Sequence, residues 1–166
     1  LENCLFEGNT CGSVISINPW DGNPELIITN CTFDNNTRVF SADPGGSIAN
    51  YVFKNNIFSG NTTTFMGNNL RGKTTYSLTS EDITGYGTGC ISNSNPQYHF
   101  ANRNKPSDWR IANGSPGDGI GTTTGAPSTD IAGQARGGSI DAGCWNSAAP
   151  PAKDYFWDVS TSPGIQ

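Results

Sequence analysis

Asp118, Asp130, Asp141 and Arg136 place three carboxylates and a guanidinium in one short stretch of a 166-residue chain. Arg136 lies between Asp130 and Asp141, and its planar fork can bond one or both carboxylates, locking a segment built of loops. The same acids suit a second chemistry: Asp118, Asp130 or Asp141 with backbone carbonyls would make an oxygen-lined Ca²⁺ site. The two uses compete, since a carboxylate held by Arg136 is lost to a cation. Calcium is the one cofactor these residues raise.

Catalysis asks for more. Glycoside hydrolysis needs paired carboxylates at a defined separation, and lyase chemistry needs a base such as Lys, Arg or His beside a charge-neutralising group. The candidates are Glu7, Asp34, Arg38 and Lys54, with His99 the sole histidine. They form no cluster in sequence, and Glu7 and Asp34 each follow a phenylalanine, so they read as the outward neighbours of inward rings. No GxSxG, HExxH or phosphate-binding loop is present. No residue is therefore assigned a catalytic role.

The five cysteines, Cys4, Cys11, Cys31, Cys90 and Cys144, fit no metal spacing. Cys4 and Cys31 occupy the same station of a repeat described below, where they either form a disulfide or pack as small apolar groups. In "NPWDGNPE" (18–24 and Glu25), Trp20 with Asp21 is the candidate ligand-binding pair: the indole either stacks on a sugar ring or folds over its own loop. Sequons at Asn30, Asn35, Asn61 and Asn113 matter only in a glycosylating route.

These residues hang on a repeated phrase. "NCLFEGNT" at 3–10 returns as "NCTFDNNT" at 30–37 and "NNIFSGNT" at 55–62, offsets of 27 and 25 residues. Self-similarity at such a period marks a solenoid, in which each unit buries its apolar face against its neighbours. Leu26 and Ile28 alternate with Ile27 and Thr29 as in a strand, and so do their counterparts Tyr51 and Phe53. A bend at Asn30 and Asn55 precedes a second strand carrying Phe33 and Phe58, and "SVIS" (13–16) and "RVFS" (38–41) supply a third. Three short strands per turn predict an all-β fold, a right-handed parallel β-helix, with residues 1–62 as its regular coils. Like residues then stack about 4.8 Å apart. Phe6, Phe33 and Phe58 form a ring column, and Asn3, Asn30 and Asn55 an amide ladder. Because Leu1 opens inside the phrase, at least one further coil is expected before it.

Residues 63–145 lose the phrase and carry "NPQYHF" (95–100), "DWRI" (108–111), "NGSPGDG" (113–119), "DIAGQAR" (130–136) and "GGSIDAGCW" (137–145). This ordered string resembles the choice-of-anchor Q module, which follows right-handed parallel β-helix repeats in secreted and surface proteins of bacteria. The resemblance implies an extracellular location and a loop-rich C-terminal cap. Physically, such a cap covers the apolar side chains and unpaired edges of a last coil, with Asp130, Arg136 and Asp141 as its ion pairs. Residues 146–166 read as a linker and a tail carrying Tyr155, Phe156 and Trp157.

Charged residues are only 14% of the chain against about 25% in ordinary domains, and the net charge is −5. No basic patch is available for nucleic acid. No run of 18 apolar residues is present to span a membrane. The expected partners are polysaccharide or neighbouring protein subunits. The leading reading is a non-enzymatic extracellular surface protein, structural or adhesive. The alternatives are the non-catalytic end of a β-helix polysaccharide lyase or glycoside hydrolase, and a subunit of a filament assembled end to end.

Overall fold

The computed structural model describes residues 1–10, 12–17, 25–42, 48–66, 70–81, 84–100 and 102–147. Within them the chain is all-β, built of parallel sheets with almost no helix. The strands are β1 (Leu5–Glu7), β2 (Ile15–Ile17), β3 (Leu26–Thr29), β4 (Thr32–Asp34), β5 (Arg38–Ala42), β6 (Tyr51–Lys54), β7 (Ile57–Ser59), β8 (Thr63–Met66), β9 (Thr74–Thr75) and β10 (Leu78–Thr79). Two 3₁₀ turns, Leu70–Lys73 and Pro106–Trp109, complete the regular structure.

Consecutive strands never pair with one another. Each pairs in parallel with its counterpart one repeat on, in the orders β1-β4-β7-β10, β2-β5-β8 and β3-β6-β9. The registers put Phe6 beside Phe33 and Phe33 beside Phe58, Ile15 beside Phe40, and Leu26 beside Tyr51. A period of 2 along each strand then sends the register partners of one column to the same side. Phe6 stacks on Phe33 with ring centroids 4.9 Å apart, and Phe33 on Phe58 at 5.4 Å. Phe40 and Phe65 stack from the second sheet at 5.2 Å, and Phe53 of the third lies 4.9 Å from Phe40. Rings from all three sheets thus meet in one core, with Phe33, Phe40, Phe53 and Phe58 fully buried. Each such ring contributes roughly 1.5–3 kcal/mol of burial.

Two bends per repeat make this possible, and both need left-handed backbone. The first falls at Asn3, Asn30 and Asn55 with φ of 50°, 51° and 56°, and Tyr76 continues it at 49°. The second falls at Gly8, Asn35 and Gly60, with φ of 61°, 53° and 59°. Glycine and asparagine are the residues that enter this region most readily.

Side-chain ladders close the backbone groups left open between the bends. Cys31 Sγ accepts from Cys4 N–H, Asn56 Oδ1 from Cys31 N–H, and Ser77 Oγ from Asn56 N–H, so each repeat satisfies a donor of the one before. Asn9 Nδ2 donates to Asn36 Oδ1 at 2.8 Å, and Asn36 Nδ2 to Asn61 Oδ1 at 3.0 Å. This second amide ladder sits at the seventh position of the phrase.

The C-terminal segment is not simply a lid. Leu70 and Tyr86 meet the Phe53 and Phe65 end of the core, whereas residues 98–147 lie along the outer face of β1, β4, β7 and β10. Ile57 and Leu78 pack there with Ile111 and Ala142, and Leu5 packs with Trp109, Cys144 and Trp145. The physical reason is that this sheet is apolar on both faces. "LF" in β1 and "IF" in β7 put a large apolar residue outward beside the inward ring, with Thr32 of β4 between them and Leu78 of β10 beyond, and exposing this face would cost the burial of Leu5, Ile57 and Leu78.

Candidate functional site

Asp34 ends β4 and points away from the ring column, so sequence reasoning leaves it in solvent. The structure buries it to 3% exposure beneath the C-terminal segment. Its Oδ2 accepts from Arg103 Nη2 and from Trp109 Nε1, both at 3.0 Å. Its Oδ1 accepts a short hydrogen bond from Ser59 Oγ, the residue one repeat along. Ser59 has one proton and gives it to Asp34, so the Tyr98 hydroxyl, 2.7 Å away, donates to Ser59. Burial, with the nearby Asp34 charge, holds the Tyr98 phenol well above its ordinary value and keeps that proton in place. Arg103 lies over the Tyr98 ring at 4.8 Å and near the Trp109 ring at 5.7 Å. Arg103–Asp34 is the one ion pair between side chains found among the described residues.

The network forms the floor of a cleft of about 290 Å³ lined by Glu7, Asp34, Asn35, Asn102, Arg103, Asn104 and Trp109. Glu7 and Asp34 are register partners on adjacent strands. On the opposite wall the 102–104 loop is fixed from behind: Asp108, in the 3₁₀ turn Pro106–Trp109, accepts from the backbone N–H groups of Asn104 and Lys105 at 2.8 and 2.9 Å.

The acids first singled out are used differently from expectation. Arg136 does not bond Asp130 or Asp141. Its Nη2 donates to Asn3 Oδ1 and to the Gly143 carbonyl, each at 3.0 Å. The cause is that both carboxylates are already occupied. Asp130 accepts from the N–H groups of Ala132, Gln134 and Asn146, and Asp141 from those of Gly119 and Ser147 and from the Ser147 hydroxyl. Asp118 meets Asp141 through Ser147 Oγ, 3.1 Å from Asp118 Oδ1. The calcium alternative finds no support in this arrangement: among the described residues no three His, Cys, Asp or Glu side chains gather where they could hold a metal. Asp130 faces its own turn instead.

Cys4, Cys31, Cys90 and Cys144 are free thiols, so the Cys4–Cys31 bridge gives way to packing. Each sulfur of that pair turns to a carbonyl, Cys4 Sγ to Glu2 and Cys31 Sγ to Thr29. Burial pushes the Cys31 and Cys144 thiols up to about 12. Trp20 and Asp21, Cys11 and the aromatic tail lie outside the described residues. Of the candidates for chemistry, Lys54 donates to the Thr124 carbonyl at 3.0 Å, away from the cleft.

The asparagine column does more than stack. Asn55 Nδ2 donates to Asn30 Oδ1 at 3.2 Å, and all three members also bond the C-terminal segment: Asn3 Nδ2 to Thr129 O, Asn30 Nδ2 to Asp141 O and Asn55 Nδ2 to Thr122 O. One flank of three successive repeats is thereby braced by one segment.

No family model, curated protein or solved structure matches this chain. Function must therefore be argued from the braced flank and the cleft. No helix among the described residues is long and apolar enough to cross a membrane.

Proposed function

We propose that the chain is the C-terminal part of a right-handed parallel β-helix protein of the choice-of-anchor Q type. In this reading it is a non-enzymatic, extracellular protein of the bacterial surface with a structural or adhesive role toward polysaccharide. The reading rests on one observation, the bonding of Asn3, Asn30 and Asn55 in three successive repeats to a single flanking segment. A stack of repeats braced along its side is a stiff unit with long exposed faces, the property that a surface spacer or adhesin needs. The use of Asp34 supports the same reading. Both of its oxygens accept hydrogen bonds, from Ser59, Arg103 and Trp109, so Asp34 itself is held in a packing role, and Glu7 beside it has no second free carboxylate to pair with for hydrolysis.

The test is direct. Protease shaving of intact cells that make the parent protein is expected to release peptides from residues 1–147, and a glycan array is expected to retain the 166-residue chain on at least one polysaccharide. Depolymerisation of alginate, pectin or a glycosaminoglycan by the protein would replace this reading with the enzymatic one. Retention on no glycan would remove the adhesive role.

A further inference from the structure

We infer that the cleft between the ends of β1 and β4 and the 102–104 loop binds a neutral sugar residue of a polysaccharide chain. The inference deepens the adhesive reading above and rests on it. The cleft volume of about 290 Å³ falls just below that of drug-sized ligand clefts, roughly 300–1,000 Å³, and suits one sugar unit of a longer chain.

The lining is made of the groups that recognise vicinal hydroxyls. Glu7, Asn35, Asn102 and Asn104 are exposed, and their side chains make no hydrogen bond among the described residues. A carboxylate accepts from two hydroxyls, and each amide offers both donor and acceptor. Arg103 adds donors held in place by Asp34 and by two aromatic rings. Because Asp108 holds the loop backbone at Asn104 and Lys105 from behind, that wall of the cleft is in place before a ligand arrives, which reduces the entropy lost on binding.

Charge selects among sugars. Asp34 neutralises Arg103, and Glu7 leaves the cleft with one net negative charge. A uronate or sulfated sugar would place an anion against that charge, whereas a neutral hexose or N-acetylhexosamine would not. Trp109 is only 6% exposed and spends its N–H on Asp34, so it offers no open face for stacking. Single-site affinity is therefore in the millimolar range, and useful binding comes from many contacts along one polymer.

The experiment titrates the 166-residue chain with cellohexaose, mannohexaose and chitohexaose, and separately with oligogalacturonate and oligoalginate of equal length. Nuclear magnetic resonance follows the Trp109 indole N–H and the amides of residues 102–104. At least one neutral oligosaccharide is expected to shift these signals, and Asn102→Ala and Glu7→Gln to weaken it five-fold or more with unchanged near-ultraviolet circular dichroism. Preferential binding of the acidic oligosaccharides overturns the inference. So do shifts confined to other surfaces, or variants that bind as the parent does. If arrays retain the parent chain and both variants equally, the site fails while the adhesive reading stands. If nothing is retained, both fall.

Discussion

Asn30 donates its Nδ2 to the Asp141 carbonyl at 3.0 Å across 111 residues of chain, with both residues buried. The same side chain accepts from Asn55 Nδ2, and its backbone sits at φ 51°. One asparagine thus sets the bend of its repeat and fastens the C-terminal segment to it. The two roles can be separated. Asn30→Gly keeps the left-handed backbone and loses only the side-chain bonds, at about 1–3 kcal/mol. Asn30→Ala loses the bonds and adds about 1 kcal/mol of backbone strain. Urea titration should therefore rank the parent above Asn30→Gly and Asn30→Ala last. A glycine variant no more stable than the alanine variant would show that the bend contributes nothing.

Asp34→Asn preserves shape and removes charge. The amide can no longer accept from Ser59, Arg103 and Trp109 together, and Arg103 is left beside two rings without its carboxylate. Breaking such a largely buried pair costs about 3–5 kcal/mol when one partner is removed. The loss should fall first on the C-terminal segment, because Arg103, Tyr98 and Trp109 all belong to it. Limited proteolysis is expected to cut near residues 98–109 in the variant while the peptides of 25–66 remain protected. Simultaneous cutting in both regions would mean that the repeats depend on this network as much as the segment does.

The repeat was legible because its signal is redundant. Phe6, Phe33 and Phe58 and the bends at Asn3, Asn30 and Asn55 recur at one spacing, so their pairing partners follow from alignment alone. The second ladder of Asn9, Asn36 and Asn61 was equally visible in the phrase, but its role required knowing that Gly8, Asn35 and Gly60 form a second left-handed bend. The flank was harder. Its one sequence signal is the doubling of apolar residues at Leu5–Phe6 and Ile57–Phe58, which breaks the alternation of a strand with one wet face. Reading Asp34 as solvated followed from missing that cover. Nothing in the sequence spacing pairs Asp34 with Arg103, 69 residues away, because the phrase does not recur after residue 62 and Arg103 holds no station of the repeat. Arg136 illustrates the converse. Proximity to Asp130 and Asp141 in sequence predicted ion pairs, yet backbone N–H groups from tight local turns reached those carboxylates first.

The Asp118–Asp141 pair should give stability a measurable dependence on pH. Burial raises the Asp141 carboxyl above its ordinary value of 3.8, while the Gly114 N–H, which donates to Asp118, holds that group below it. The two contributions have opposite signs. A raised value means that folding favours the protonated form, so the Asp141 contribution is complete below 3.8 and is lost as pH rises through the folded value. A lowered value means that the Asp118 contribution is complete above 3.8 and is lost as pH falls through the folded value. Arg136 and Asp130 face the same region, but Arg136 donates to the Gly143 carbonyl and Asp130 accepts from the backbone N–H groups of Ala132, Gln134 and Asn146, so neither is hydrogen-bonded to the pair. Asp141→Asn is neutral at every pH, so it removes the first contribution, and any change it makes to the second falls below about pH 4, because the Asp118 contribution is complete above 3.8. Urea midpoints of the parent should decline from about pH 4 to pH 7 more steeply than those of the variant. Parallel profiles would mean that Asp141 is ionised in the folded chain throughout that range.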